Sequence, residues 1–375
     1  MSRIQNRLYS SESKLIAILI CILLLPIMLY SQSDSDTTRQ YKLNLSAYPY
    51  VYYTPETQFA FGSGGVVTFY TKKDSLLNPS NVTFSGFYST NKSYELSLVS
   101  NLYFARNRMA STIDIRYGHK VDRFYGIGNN TRDFGTEQYI LGNVGGMIDF
   151  QIPPAIIISD RAGLVVEYKK YTIVDTKDNP HLNADIPLTG RVGGIVSGVG
   201  LVWIWDTRDQ VFFPNHGGMT QAKTLIYTKD LASDYTFSWV EINARRYWAF
   251  APDHVLAVQV YFNSVSGSPP FFKLPALGGS SIMRGYFQGR YRDYDYLAFQ
   301  LEYRQYFWWR LGFVVFAGSG DVVGEITSLQ IRNLKPSYGA GLRFLFDKEQ
   351  KINLRMDIGF GKNTNGVYFG IEEAF

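Results

Sequence analysis

From Tyr41 to the end of the chain, no apolar run reaches the roughly 18 residues that a membrane helix requires, and no i, i+3, i+4, i+7 stripe is sustained. What recurs is period-two alternation, in pieces of about ten residues rich in Val, Ile, Tyr, Phe and Thr, with Gly, Asn, Asp or Pro between them. In YELSLVSNLYF, residues 94–104, Tyr94, Leu96 and Leu98 fall on one face and Glu95 and Ser97 on the other. STIDIRYGHK, residues 111–120, sets Ile113, Ile115 and Tyr117 against Asp114 and Arg116. The pattern predicts about sixteen strands, near 45–53, 58–70, 80–90, 93–104, 109–119, 138–150, 161–171, 192–205, 218–228, 235–249, 254–264, 294–305, 311–319, 337–347, 351–360 and 366–375. An even count suits a single-chain bacterial barrel.

The connections test that reading. If the first strand rises from the periplasm, the short joins at 251–254, 307–310 and 347–350 all fall on the periplasmic side, and the long ones near 120–137, 172–190, 265–293 and 321–336 all fall outside. A soluble sandwich has no reason to sort its loops this way. The expected fold is therefore all-β, a transmembrane antiparallel β-barrel of about sixteen strands over residues 45–375, with every backbone group paired and no edge left in hydrocarbon.

Composition agrees. Aromatics make up 16% of the chain, with 28 Tyr and 26 Phe, a ring content suited to membrane–water interfaces. Tyr48, Tyr50, Tyr52, Tyr53, Trp203, Trp205, Phe307, Trp308 and Trp309 lie near strand ends and are expected in interfacial girdles. Ahead of the strands, Arg3, Arg7 and Lys14 precede LIAILICILLLPIML, residues 15–29, an apolar run too short to span a bilayer. Residues 1–31 read as a secretory signal, with an uncleaved anchor as the other reading, and 32–44 as a short periplasmic segment. The one cysteine, Cys21, lies inside that run, so intramolecular disulfides and zinc cages are excluded. Part of the net charge of +5 also belongs to the leader, and the remainder gives no case for nucleic acid.

One loop stands out. GGSSIMRGYFQGR, residues 278–290, lies in the longest external connection, between the eleventh and twelfth strands. In a barrel lumen its Arg284 can hold a carboxylate bidentately, and its glycines let the backbone approach the wall. A solvated external loop is the plainer alternative. Met283, Arg284, Gly285 and Tyr286 resemble the arginine-glycine-aromatic motif of the outer-membrane assembly factor superfamily, the bacterial surface-antigen barrels of BamA/TamA type. WDTRDQVFFPNHGG, residues 205–218, resembles that family's Asp-x-Arg-Asp turn through Asp206, Arg208 and Asp209, followed by Pro214 and Gly217. LEYR at 301–304 resembles its twelfth strand, with Glu302 pointing inward, and FVVFAGSGDVVG at 313–324 resembles its thirteenth through Phe316 and Gly320. There Gly318 replaces the acid of the family form, Phe-x-Asp-x-Gly. The resemblance implies a luminal loop held by Arg284 against Glu302, an acid of 206–209, or Asp321.

The final strand ends on Phe375 after Val367, Phe369 and Ile371 in alternation, a pattern that resembles the signal by which outer-membrane assembly machinery recognises a client. His119, His181, His216 and His254 are scattered, and no nucleophile elbow, phosphate loop or dinucleotide fingerprint appears, so neither an enzyme nor a cofactor or metal is expected. The resemblance implies a barrel that assists insertion or translocation of envelope proteins or lipids; the periplasmic capture domains usual in that family are not expected here, because the stretch between Ser31 and the first strand is too short for one. Its expected partners are the outer-membrane bilayer and periplasmic or outer-membrane proteins. A passive pore or structural barrel is the second reading.

Overall fold

The computed structural model describes residues 43–375, apart from 75–76, 154–159, 184–186, 211 and 348–350. The expected signal, 1–31, and nearly all of 32–44 lie outside the described residues. The alternating segments become β1 (Asn44–Thr54), β2 (Gln58–Phe69), β3 (Ser80–Ser89), β4 (Tyr94–Phe104), β5 (Met109–Arg123), β6 (Gln138–Ile152), β7 (Arg161–Asp175), β8 (Gly193–Asp206), β9 (His216–Tyr227), β10 (Phe237–Ala251) and β11 (His254–Gly267). After them come two-residue strands β12 (Ala276–Leu277) and β13 (Tyr291–Arg292), then β14 (Asp295–Trp308), β15 (Leu311–Val323), β16 (Lys335–Asp347), β17 (Ile352–Gly361) and β18 (Thr364–Ile371). All except β12 and β13 form one closed barrel of sixteen strands in chain order, with β18 beside β1, and the small pair makes a separate ribbon inside a loop.

Alternation in sequence becomes alternation across the wall. Along β14, Ala298, Gln300, Glu302 and Arg304 are buried in the lumen while Phe299 and Leu301 are exposed on the outside. Trp205, Phe307, Trp308 and Trp309 are exposed at the rim that carries the tight turns, where a girdle is expected. Tyr50 and Tyr52 depart from that expectation: flanking the outward Val51, they point inward, Tyr50 donating to the Gly86 carbonyl at 3.3 Å and Tyr52 packing edge-on to Phe87.

Several strands outrun their expected bounds. β15 continues to Val323 because Gly318 and Gly320, which read as breakers, keep pairing with Gln300 and Ala298. β7 continues to Asp175, rejoining β6 beyond a register shift at Ile140 and Leu141. The last strand is shorter than expected and stops at Ile371, because Glu372 takes a φ of +68° and turns the chain inward.

Closure is uneven. β5 and β6 stay in register from Ala110↔Gln151 to Arg123↔Gln138, whereas β1 and β18 are registered through Tyr53↔Phe369. Two residues further along that register Val51 faces Ile371, the end of β18, so Asn44–Tyr50 runs past it.

A luminal loop held by a ring of charges

Between β11 and β14 the chain forms a short turn of 3-10 helix, Phe271–Lys273, and then the β12–β13 ribbon, whose register Leu277↔Tyr291 narrows the loop to a hairpin. Its tip, residues 278–290, enters the lumen. Leu277, Met283 and Tyr286 are fully buried against Tyr296, Ala298 and Val322 of β14 and β15. Gly285 has a φ of +104°, and a Cβ there would lie 2.6 Å from the Phe360 carbonyl carbon; one on Gly359 would lie 2.7 Å from the Gly285 nitrogen. Loop and wall therefore meet backbone to backbone, which only glycine on both sides permits.

That approach delivers Arg284. Its guanidinium and the carboxylate of Glu302 are fully excluded from solvent. Nη2 donates to Glu302 and Nη1 donates to Asp357 Oδ2 at 2.7 Å, while the guanidinium carbon lies 3.6 Å from the centre of the Phe316 ring. Neighbouring bonds fix the backbone: Met283 N donates to Gln300 Oε1 at 2.8 Å, Gly285 N to the Tyr368 hydroxyl at 2.9 Å, and Ser337 Oγ to the Arg284 carbonyl at 2.5 Å. The Tyr286 hydroxyl donates to the Pro336 carbonyl at 2.8 Å and accepts from Lys362 N at 2.7 Å.

The ion pairs continue until they close on themselves. Arg304 Nε donates to Glu302 at 2.8 Å and lies 4.0 Å from Glu373; Arg343 Nε donates to Glu373 at 2.8 Å and its Nη1 to Asp357 at 2.6 Å. Three guanidiniums and three carboxylates thus alternate in a ring, with Arg355 3.5 Å from Asp357 at its margin. Each buried carboxylate sits between two arginines, which offsets the desolvation that an isolated charge would suffer in the lumen. Glu373 reaches the ring through the inward turn at Glu372.

A second anchor holds the loop to the other side of the wall. Lys273 Nζ donates to both oxygens of Glu167 on β7 at 2.9 Å, and the same carboxylate accepts from Tyr227 and lies 3.0 Å from Lys169. Arg292 reaches Asp122 of β5 at 3.3 Å, and Arg290 donates to the Thr131 carbonyl at 2.9 Å.

Of the expected partners of Arg284, Glu302 is in place. Asp206, Arg208 and Asp209 are not: they form the turn after β8 at the tight-turn rim, where Arg208 donates to Asp206 at 2.7 Å and Asp209 accepts from Asn215 N at 2.9 Å. An Asp-x-Arg spacing satisfies itself locally, so it never reaches the loop. Asp321 also serves elsewhere, holding Lys335 and accepting from Asn129 at 3.1 Å. Phe316 meets Arg284 through its ring, and Gly320 keeps the wall thin, since a Cβ there would lie 2.7 Å from the Leu297 carbonyl. The acid missing at Gly318 is supplied two strands away by Asp357. The alternation of Leu354, Met356 and Ile358, all exposed, with buried Arg355 and Asp357 is the signal that would have found it.

The terminal row also divides. Phe369 and Ile371 are 37% and 38% exposed on the outer surface, but Phe375 is 5% exposed and turned inward, packed with Phe213, Tyr247 and Val255, its carbonyl accepting from Arg304 at 2.7 Å.

A sixteen-stranded closed barrel with a loop pinned inside it by a buried arginine defines a class of transmembrane β-barrel. The Omp85 superfamily domain matches residues 61–375, and the chain belongs to that superfamily, whose barrel is typical of bacterial outer membranes. Among solved structures it is similar to BamA from Haemophilus ducreyi lacking POTRA domains 1–3, with a TM-score of 0.61 at 13% identity over 87% of this chain and 70% of that one. It is also similar to CdiB from Acinetobacter baumannii, with a TM-score of 0.55 at 10% identity over 88% of this chain and 65% of that one. At these identities the likeness is one of fold. No curated protein matches the chain.

Proposed function

We propose that the protein is an outer-membrane factor, exported by its leader, that assists insertion or translocation of envelope proteins or lipids together with periplasmic or outer-membrane partners, and that it works without enzymatic chemistry. The observation that carries this reading is the seam. In the register Tyr53↔Phe369, β1 and β18 can face each other only from Val51↔Ile371 to Thr54↔Tyr368, whereas β17 and β18 pair from Leu354↔Ile371 to Gly361↔Thr364. Backbone groups of Asn44–Tyr50 therefore lie beyond the end of β18, and an extended client segment can pair with such an edge. A barrel that serves only as a wall has no use for a short seam.

The loop favours this reading over a wide, steadily open pore, because it is pinned to opposite walls by Arg284 and Lys273 and so occupies the lumen. The test is depletion in the native host followed by profiling of the outer membrane. Loss of other barrels or of a secreted protein supports assistance; an unchanged profile beside a steady open conductance in planar bilayers supports a pore.

A further inference from the structure

The loop tip touches both sides of the seam. On the β18 side, Gly285 N donates to the Tyr368 hydroxyl at 2.9 Å. On the β1 side, Gln288 N donates at 2.7 Å to the carboxylate of Glu56, a 6%-exposed residue in the turn between β1 and β2. That turn is itself fixed, since Asn91 Nδ2 donates to the Glu56 carbonyl at 2.6 Å and Thr57 N to Thr54 Oγ1 at 3.1 Å. The two sides converge where β18 has a glycine: a Cβ on Gly366 would lie 2.5 Å from the Tyr368 hydroxyl and 3.0 Å from Pro55 Cγ.

We infer that Glu56 and Tyr368 are positioning residues that make residues 285–288 an internal clasp across the β1–β18 seam, so that the seam opens only as the loop tip leaves the wall. The strand register alone cannot hold the upper seam closed, because in it Phe369 faces Tyr53, Tyr368 faces Thr54 at the end of β1, and the residues of β18 before Tyr368 face the turn after β1 instead of a strand. What joins the two sides there is the loop backbone, through one neutral hydroxyl and one carboxylate, and the carboxylate makes the stronger bond. Arg284, one residue before Gly285, ties the clasp to the ring of charges. The inference rests on the seam of the proposed function, yet its test reads the seam itself and involves no client.

The test is hydrogen exchange on the full chain reconstituted in vesicles, read over β18 and the end of β1, with heat-modifiability confirming a folded barrel in each variant. Glu56→Ala and Tyr368→Phe are expected to raise exchange at the seam about tenfold, the factor that about 1.4 kcal/mol makes in an equilibrium constant. Lys273→Met, at the other end of the loop, is expected to leave the seam at the wild-type rate. Coupling is reciprocal. A cross-link between Tyr53→Cys and Phe369→Cys, in a Cys21→Ser background, is therefore expected to slow exchange in residues 284–289. Wild-type seam exchange in both clasp variants, or a loop indifferent to the cross-link, would overturn the inference.

Discussion

Arg284 Nη1 lies 2.7 Å from Asp357 Oδ2, although the two residues are 73 positions apart in the chain. With Glu302 on the other nitrogen, one loop arginine ties β14 to β17 across the two strands between them. Arg284→Ala removes the shared partner of two buried carboxylates and is expected to cost roughly 3–5 kcal/mol, the range for breaking a buried pair from one side. Limited proteolysis should then cut residues 278–290 in a barrel that otherwise stays folded. Arg284→Lys should not restore protection, because an ammonium cannot reach both acids as a planar fork does.

Asp357→Asn is expected to be nearly as harmful as loss of Glu302, since it releases Arg284 and Arg343 together and leaves Arg355 without its nearest carboxylate. Gly318→Asp should not compensate, even though it rebuilds the family pattern: its Cβ would lie 2.9 Å from the Phe299 carbonyl. Thermal unfolding of the single and double variants in detergent checks both statements.

Gly285→Ala combines a φ of +104° with a Cβ 2.6 Å from the Phe360 backbone. The conformational part alone amounts to roughly 1–3 kcal/mol, and the main-chain clash adds to it. The expected outcome is a lifted loop tip, seen as cleavage within 278–290, with the β12–β13 ribbon still protected.

His181 lies in the connection between β7 and β8, near the edges of the Phe124 and Phe134 rings, with Nε2 buried. Burial lowers its pKa below the ordinary value of 6.5, against a smaller upward pull from Glu137. The folded state thus favours the neutral ring. Its contribution is complete above the unfolded pKa and declines as pH falls below about 6.5 toward the folded value. Hydrogen-exchange protection factors around residues 179–183, taken relative to the intrinsic rate at each pH, should therefore fall between pH 7 and pH 5 in the wild type and stay flat in His181→Phe.

Most of the wall was legible because its signal is local: a residue's neighbours two positions away show which face it occupies. The loop's arginine was legible too, through the glycines beside it. Its second acid went unread: the alternation along β17 turns Asp357 inward, but that it meets Arg284 depends on the loop folding into the lumen, which one strand's pattern does not encode. Asp206 and Asp209 misled for the opposite reason, their charges being consumed within a single turn. Phe375 continues the two-residue spacing of Val367, Phe369 and Ile371, yet the positive φ of Glu372 ends the strand and turns it inward, which spacing alone does not show.

A disulfide at the register pair Tyr53↔Phe369 would close the seam reversibly. With Tyr53→Cys and Phe369→Cys in a Cys21→Ser background, proteoliposomes carrying the cross-linked protein and its co-purifying partners should fail to speed membrane insertion of an unfolded barrel client, and reductant should restore the wild-type rate. Equal rates with the cross-link intact and reduced would contradict a working seam.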